Sequence, residues 1–351
     1  MNLSPARLEP VFSPRPWGAC SLAPLFPKQT NLAASVGEAW LTGAECRFAN
    51  GPFAGRKLGE VWPQMPPEWA GTESGKQTAA FPLLVKFIFT EEKLSVQVHP
   101  DDAYASQHEQ AAGGRGKTEM WYALRASPDA SVLVGLKRDV TAEQFKRAIA
   151  DGVAEELLTR IPVVAGESIF VPAGTVHTIG PGLVLCEIQQ HSDLTYRVYD
   201  YNRRDAEGNP RDLHVEKAIE VIHFGKQLGG KIQPLRLERD GVTKTYFAVC
   251  RYFATEKWEF SGGIAASTSS QHFDLLIFLE GSGILRSPHE RSEYRPAQVW
   301  LLPAALGAYE IEPASRTSLL RTYVPSAASE LTRALREEGV DEAEWSRLVH
   351  L

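Results

Sequence analysis

The chain has 351 residues, enough for two domains or one large one, and 37 Lys and Arg against 43 Asp and Glu give it a formal net charge of −6. With 43% hydrophobic and 23% charged residues it can bury a sizeable core, which excludes wholesale disorder and a generally basic nucleic-acid binder. No apolar run approaches the ~20 residues that span a bilayer; the longest, such as 275–279, are strand length. In MNLSPARLEPVFSPRPWGAC, prolines and two arginines precede any apolar stretch, so it does not read as a secretory signal. Cys20, Cys46, Cys186 and Cys250 are far apart and form no CxxC pair, which points to free thiols in a reducing cytoplasm.

In chain order, most segments predict short strands between Gly and Pro turns: 81–89, 94–100, 118–124, 167–172, 183–190, 273–281 and 297–303. Strands this frequent predict a mainly β sandwich or barrel. Helices are interludes. Segment 141–160 opens on a Thr cap and contains Gly152, a possible break. Segment 213–225 has apolar residues three and four apart and ends on Gly. GKQLGGKIQP (225–234) is the best linker, dividing a 1–225 unit from a 226–351 unit with a charged helical tail. GESIFVPAGTVH (166–177) and AQVWLLPAALGA (297–308) both run through a strand into proline, with His177 in the first where Ala308 stands in the second. Two barrels, only one of them bearing a site, would explain that echo.

The chemistry-bearing residues cluster in three segments. In LSVQVHP, strand alternation puts Leu94, Val96 and Val98 on one face and Ser95, Gln97 and His99 on the other. Gln97 and His99 could aim two ligand atoms at one metal; taken alone, a solvated strand face is the simpler account. Glu119 enters a strand after the Gly-rich turn GRGK, with Lys117 on its parity; alone, this is a surface ion pair. GESIFVPAGTVHTIG resembles the second metal-binding motif of the cupins, in which Gly and Pro build a tight turn and return His177 to the barrel mouth. Together Gln97, His99, Glu119 and His177 offer two imidazoles, a carboxylate and an amide oxygen. That set suits one Zn²⁺, with Co²⁺, Mn²⁺, Fe²⁺ or Ni²⁺ also compatible.

PWG (16–18), GEAW (37–40), LLVKFI…EKLSVQVHPDDAYA (83–105), GKTEMWY (116–122), VPAGTVHTIG (171–180) and YRVYDYNR (196–203) occur in this order. In these blocks the sequence resembles the type I mannose-6-phosphate isomerases in their short bacterial form. The resemblance implies a mainly β fold of two cupin (jelly-roll) barrels with a few peripheral helices. It puts the metal ligands at Gln97, His99, Glu119 and His177, the essential arginine at Arg197, a pocket carboxylate at Glu187 and pocket lysines at Lys86 and Lys117. Trp17 and Glu38 fall in family blocks and are candidates to line the sugar pocket, with core packing and strand pairing as the alternatives. Only 57 residues separate Glu119 from His177, whereas long members of the family carry a helical insertion there.

The implied reaction interconverts D-mannose 6-phosphate and D-fructose 6-phosphate through an enediol(ate). It needs a base, an electrophile for the oxyanion and an anchor for phosphate. Because the net charge is negative, the attraction for a sugar phosphate has to be local, from Arg197, Lys117 and Lys86. Glu187 is a candidate base or a partner that orients a ligand. Arg203, Arg204 and Arg211 are interleaved with acids, which argues against nucleic-acid binding. An isomerase of another aldose and a non-catalytic, sugar-binding regulatory cupin remain open. A cupin dioxygenase would use a His-rich iron site, and Gln97 argues against it.

Overall fold

The computed structural model describes residues 3–72, 80–204, 208–226, 228–326, 335–336 and 339–350. Their strands form antiparallel sheets, as the mainly β reading predicts. A seven-stranded sheet runs in the order Gly230–Lys231, Ser168–Val171, Glu119–Ala126, Leu183–Gln190, Leu83–Thr90, Val36–Trp40, Val11–Ala19. A five-stranded sheet faces it, in the order Tyr196–Tyr199, Val96–Val98, His177–Ile179, Ser131–Leu136, Leu158–Pro162. Ile88, Trp121, Ile169 and Leu185 from one sheet and Val132, Val134 and Ile179 from the other fill the space between them.

The second half repeats this plan. An eight-stranded sheet is built around Ala254–Phe260, Thr317–Tyr323, Asp274–Glu280 and Val299–Leu302. It packs on a four-stranded sheet of Ile264–Ser267, Ala308–Pro313, Gly283–Arg286 and Arg291–Tyr294 through Trp258, Phe278, Trp300 and Ile311. The outer faces of the two large sheets meet. Leu83, Val85, Phe87 and Phe89 pack in one core with Leu275, Ile277, Val299 and Leu320. Hence Leu83–Thr90 is buried along its whole length, and its near-continuous apolar sequence follows from having both faces covered. Each such Leu, Ile or Phe contributes roughly 1.5–3 kcal/mol by leaving water.

The two halves are also joined by the N-terminus. Ala6–Glu9 pairs with Val299–Leu302 at the edge of the eight-stranded sheet, and Arg47–Phe48 adds beyond it. The expected division at 225/226 is therefore crossed by the first strand, whose Ala6 and Leu8 are buried at that edge. The linker is not free either, since Gly230–Lys231 pairs with Ile169 and Phe170.

Thr141 makes a full capping box with Gln144 for the helix Ala142–Ala150. The segment 141–160 is split at Gly152, the break expected there, and a short 3-10 turn, Ala154–Leu157, follows it. Gly152 takes φ +74°, which no right-handed helix accommodates, and Leu158–Pro162 is a strand paired with Ser131–Leu136. The second helix is shorter than expected, Val215–Val221. Leu94 does not share a face with Val96 and Val98. It lies before the short Val96–Val98 strand and packs between the sheets, whereas the two valines pack outward against the helices. Of the expected helical tail, 327–334 and 337–338 lie outside the described residues, and Glu342–Trp345 forms one helical turn. No helix among the described residues is long and apolar enough to cross a membrane.

Candidate active site

The two facing sheets bring residues far apart in sequence to one end of the first sandwich. His177 pairs across the ladder with Gln97, Val171 with Glu119, and Gln189 with Glu119. Paired residues project to the same side of a sheet, so Gln97 and His177 share a side of the five-stranded sheet; Glu119 meets them from the facing sheet, its Oε1 3.4 Å from His177 Nε2, and His99 joins them just past the end of its strand. One ligand atom each from His99, Glu119 and His177 lie within 4.8 Å of one another, all buried.

The histidine tautomers are set by what their other nitrogens meet. His99 Nδ1 donates to the Leu194 carbonyl at 2.8 Å, and His177 Nδ1 donates to the Thr175 carbonyl at 2.9 Å. A carbonyl can only accept, so each Nε2 keeps its lone pair for the site. Those lone pairs accept from Lys117 Nζ at 3.2 Å and from Gln97 Nε2 at 3.3 Å. Burial, reinforced by Lys117 and His177, holds His99 well below the usual imidazole range. Burial also brings His177 down to about 4, against the pull of the Thr175 carbonyl. Both rings are thus neutral at pH 7, the form that binds a metal.

Glu119 shows what the set lacks. Its Oε1 is buried, lies 3.4 Å from His177 Nε2 and has no hydrogen-bond partner among the described residues. Burial pushes its carboxyl up to about 8 even though Lys117 sits 2.9 Å from Oε2. An orphaned buried carboxylate oxygen beside two imidazole lone pairs is costly alone and is satisfied by a divalent cation. The residues present therefore fit a metal bound by N and O donors, with the Gln97 amide beside them.

Next to this centre lies a buried charged array. Lys86 is 1% exposed and pairs in register with Glu187, and its Nζ lies 3.4 Å from Glu187 Oε2 and 3.9 Å from both Glu38 and Asp193. Glu187 also accepts from the Trp121 indole at 3.0 Å. Burial works against ionising Glu187, but Lys117 and Lys86 together outweigh it and bring the carboxyl down to about 2. Burial likewise works against the Lys117 charge, and Glu119 and Glu187 outweigh it, so Lys117 is a cation. Glu38 accepts from Arg15 and from the Trp40 indole, both at 2.8 Å.

Arg197 pairs in register with Gln97, which puts it on the site side of the five-stranded sheet. Its Nη1 donates to the Asp212 carbonyl at 2.9 Å, and its buried Nε has no partner among the described residues. Trp17 differs from the other candidates. It lies in the apolar core between the sheets with Ile88 and Trp121, outside the charged array. Trp121, Trp40, Arg15 and Asp193 are site residues that the sequence reading did not single out. Trp40 and Trp121 lie in quoted blocks two residues from Glu38 and Glu119, and strand parity was the signal that could have found them. The glycine of the VPAG turn is required: Gly174 takes φ +79°, and a Cβ there would meet the His223 ring at 2.1 Å.

Residues 6–126 match the family profile described as phosphomannose isomerase type I, catalytic domain, and residues 243–324 match that of the mannose-6-phosphate isomerase cupin domain. The chain is 36% identical over 316 residues to mannose-6-phosphate isomerase ManA of Bacillus subtilis, covering 89% of this chain and 97% of that protein. The crystal structure of the mannose 6-phosphate isomerase from Bacillus subtilis superposes with a TM-score of 0.82 at 33% identity, covering 91% of this chain and 99% of that one. A zinc-bound mannose 6-phosphate isomerase shares the fold, with a TM-score of 0.70 at 17% identity over 92% of this chain and 99% of that one. The chain belongs to the type I mannose-6-phosphate isomerase family.

Proposed function

We propose that this chain is a zinc-dependent aldose–ketose isomerase that interconverts D-mannose 6-phosphate and D-fructose 6-phosphate. The observation that carries the reading is the orphaned Glu119 Oε1 among neutral His99 and His177, next to the cations Lys86 and Lys117. Gln97, His99, Glu119 and His177 would hold the metal. When bound, it supplies a Lewis acid for the oxygens on C1 and C2 of the sugar. The protein's own groups do the rest. Lys117, held as a cation, donates to a sugar oxygen as charge builds on it. We assign the proton transfer between C1 and C2 to Glu187, which is ionised and fixed by Trp121 and Lys86. Arg197, with a free Nε–H among the described residues, anchors phosphate at the mouth. Lys86 keeps Glu187 and Glu38 ionised, and Glu38 shapes the sugar side of the pocket, while Trp17 packs in the core behind it.

We also assign the 1–225 segment as the catalytic cupin unit and 226–351 as a second, metal-free unit that packs against it. Four free thiols suit a reducing cytoplasm. The test is a coupled assay for fructose 6-phosphate formation from mannose 6-phosphate before chelation, after chelation and after adding back Zn²⁺, Co²⁺ or Mn²⁺. Loss to chelator with recovery on Zn²⁺ is the expected result. A metal-loaded protein without turnover would overturn the reading.

A further inference from the structure

The second Asp of QVHPDD is not used by the chemistry above, yet both of its carboxylate oxygens are bonded to distant parts of the chain. Asp102 opens the short helix Asp102–His108. Its Oδ1 accepts from the Gly116 backbone N–H at 2.9 Å and from the Gln190 side chain at 3.0 Å. Gln190 Oε1 in turn accepts from the Thr118 backbone N–H at 2.8 Å. Residue 117 is therefore bracketed on both sides by bonds that end on Asp102, and its own N–H donates to the Pro100 carbonyl at 3.0 Å. The approach is close: a Cβ on Gly116 would lie 2.6 Å from the Asp102 nitrogen. The segment so fixed carries Lys117 and leads directly into Glu119.

The other oxygen, Oδ2, faces the second half of the chain. It accepts from the Tyr252 hydroxyl at 2.7 Å and from Arg251 Nη2 at 3.3 Å, and Arg251 also contacts the Tyr252 hydroxyl. Both residues sit in the turn between the strands Val242–Val249 and Ala254–Phe260, a hairpin of the eight-stranded sheet. One carboxylate thus bridges the tip of that hairpin to the loop that presents Lys117 and Glu119.

We propose that Asp102 is a positioning residue for the metal site, and that through the Tyr252 hydroxyl the second half of the chain holds the Gly116–Glu119 segment in register. This rests on reading the site as a metal-dependent isomerase. Hydrogen-bond partners one step behind a metal ligand change affinity or activity 10–100-fold when removed. Asp102 acts one step further out, so changes at or below the lower end of that range follow.

The test compares Asp102→Ala, Asp102→Asn and Tyr252→Phe as full-length zinc-loaded proteins. Two readouts are used: kcat and KM for mannose 6-phosphate, and the rate of zinc release to a coloured chelator. Asp102→Ala is expected to lower kcat about tenfold with KM changed less than about twofold, and to speed zinc release about tenfold. Asp102→Asn keeps an oxygen for Gly116 and should recover most of both. Tyr252→Phe, which removes one hydroxyl from a half-buried ring, should give about threefold changes of the same kind. Wild-type zinc release and kcat in Tyr252→Phe would overturn the link to the second half. A loss in Asp102→Ala that Asp102→Asn does not restore, with a lowered Tm, would overturn positioning in favour of a folding role. Zinc release involves no sugar. If the wild type fails to isomerise mannose 6-phosphate, the reading of the substrate falls while the release rates still decide the role of Asp102.

Discussion

The mouths of the two sandwiches are built on one register and wired in opposite ways. In the first, Glu119 pairs with Val171, the residue before Pro172; in the second, Asp274 pairs with Leu302, the residue before Pro303. Two residues along, Trp121 faces Glu187, as Leu276 faces Arg321. One strand further, Glu187 faces Lys86, as Arg321 faces Glu256. The Lys86–Glu187 pair of the first mouth is thus an acid–base pair of reversed polarity in the second. There, Arg321 reaches Glu256 at 2.7 Å and Asp274 at 2.9 Å, a built-in cation between two carboxylates. In the first mouth Glu119 Oε1 has no hydrogen-bond partner among the described residues. The difference teaches that the sandwich supplies the buried polar positions, and that one strand's choice of acid or arginine decides whether a mouth stays open for a metal ion or is closed by the protein's own charge.

Five experiments sharpen or break this contrast. The largest effect is expected from His99→Ala or His177→Ala. Either should abolish zinc retention and lower turnover about 10³-fold, the several kcal/mol a Lewis acid supplies. Metal analysis beside the coupled assay checks it, and full activity without bound metal would break the assignment. Arg321→Met should destabilise the fold by about 3–5 kcal/mol, since it removes the cation between the buried carboxylates of Glu256 and Asp274 and leaves Asp274 with His272 alone. Urea unfolding measures this. The triple change Arg321→Met, Glu256→Gln, Asp274→Asn should recover much of the loss, while no single change at Glu119 is expected to behave that way.

The third experiment is acid unfolding of the chelator-stripped protein. Glu187 sits at about 2 in the folded state, where Lys117 and Lys86 outweigh the effect of burial, and near 4.3 when unfolded. A carboxyl depressed in the folded state binds fewer protons there than in the unfolded chain. Its contribution is therefore complete above the unfolded value and is lost as pH falls from about 4.3 toward 2. Asp274 has the same sign: burial raises its carboxyl, and Arg321 with His272 more than offsets that. Glu187→Gln should flatten the loss of stability across this window, and Arg321→Met should shift the Asp274 share to higher pH. Smaller effects follow. Trp121→Phe removes one donor to the ionised, buried Glu187 and should cost about 2 kcal/mol. Ala308→His should change nothing, in either stability or zinc stoichiometry.

That last expectation marks how far the sequence could be read. The matched strands and prolines of 166–177 and 297–308 correspond in the structure, and His177 and Ala308 each begin a strand. Yet Ala308 is exposed, and Tyr309 is the residue that faces the interior. A shift of one residue turns a strand over, and nothing in a proline offset reports which face results. The convergence of His99, Glu119 and His177 was legible because these residues lie in short segments, QVH and TE, and after a glycine–proline turn. The reversed acid–base pair was not, because Glu256, Asp274 and Arg321 come together only through ladders spanning residues 254 to 323. Leu94 falls on the other face for a related reason: the strand that follows it, Val96–Val98, is three residues long, and its alternation does not extend back to Leu94.

The pairing of Ala6–Glu9 with Val299–Leu302 has a consequence for how the protein comes into being. On the ribosome, the first strand emerges nearly 300 residues before its partner. Until then its place at the edge of a sheet does not exist, and Ala6 and Leu8 have no surface to cover. Non-local pairings of this reach slow folding, because the loop must close before the contact forms. The first sandwich can assemble during synthesis. The second can gain its outer strand only after almost the entire chain has been released, so a ribosome stalled late would leave an uncovered sheet edge open to pairing with another chain.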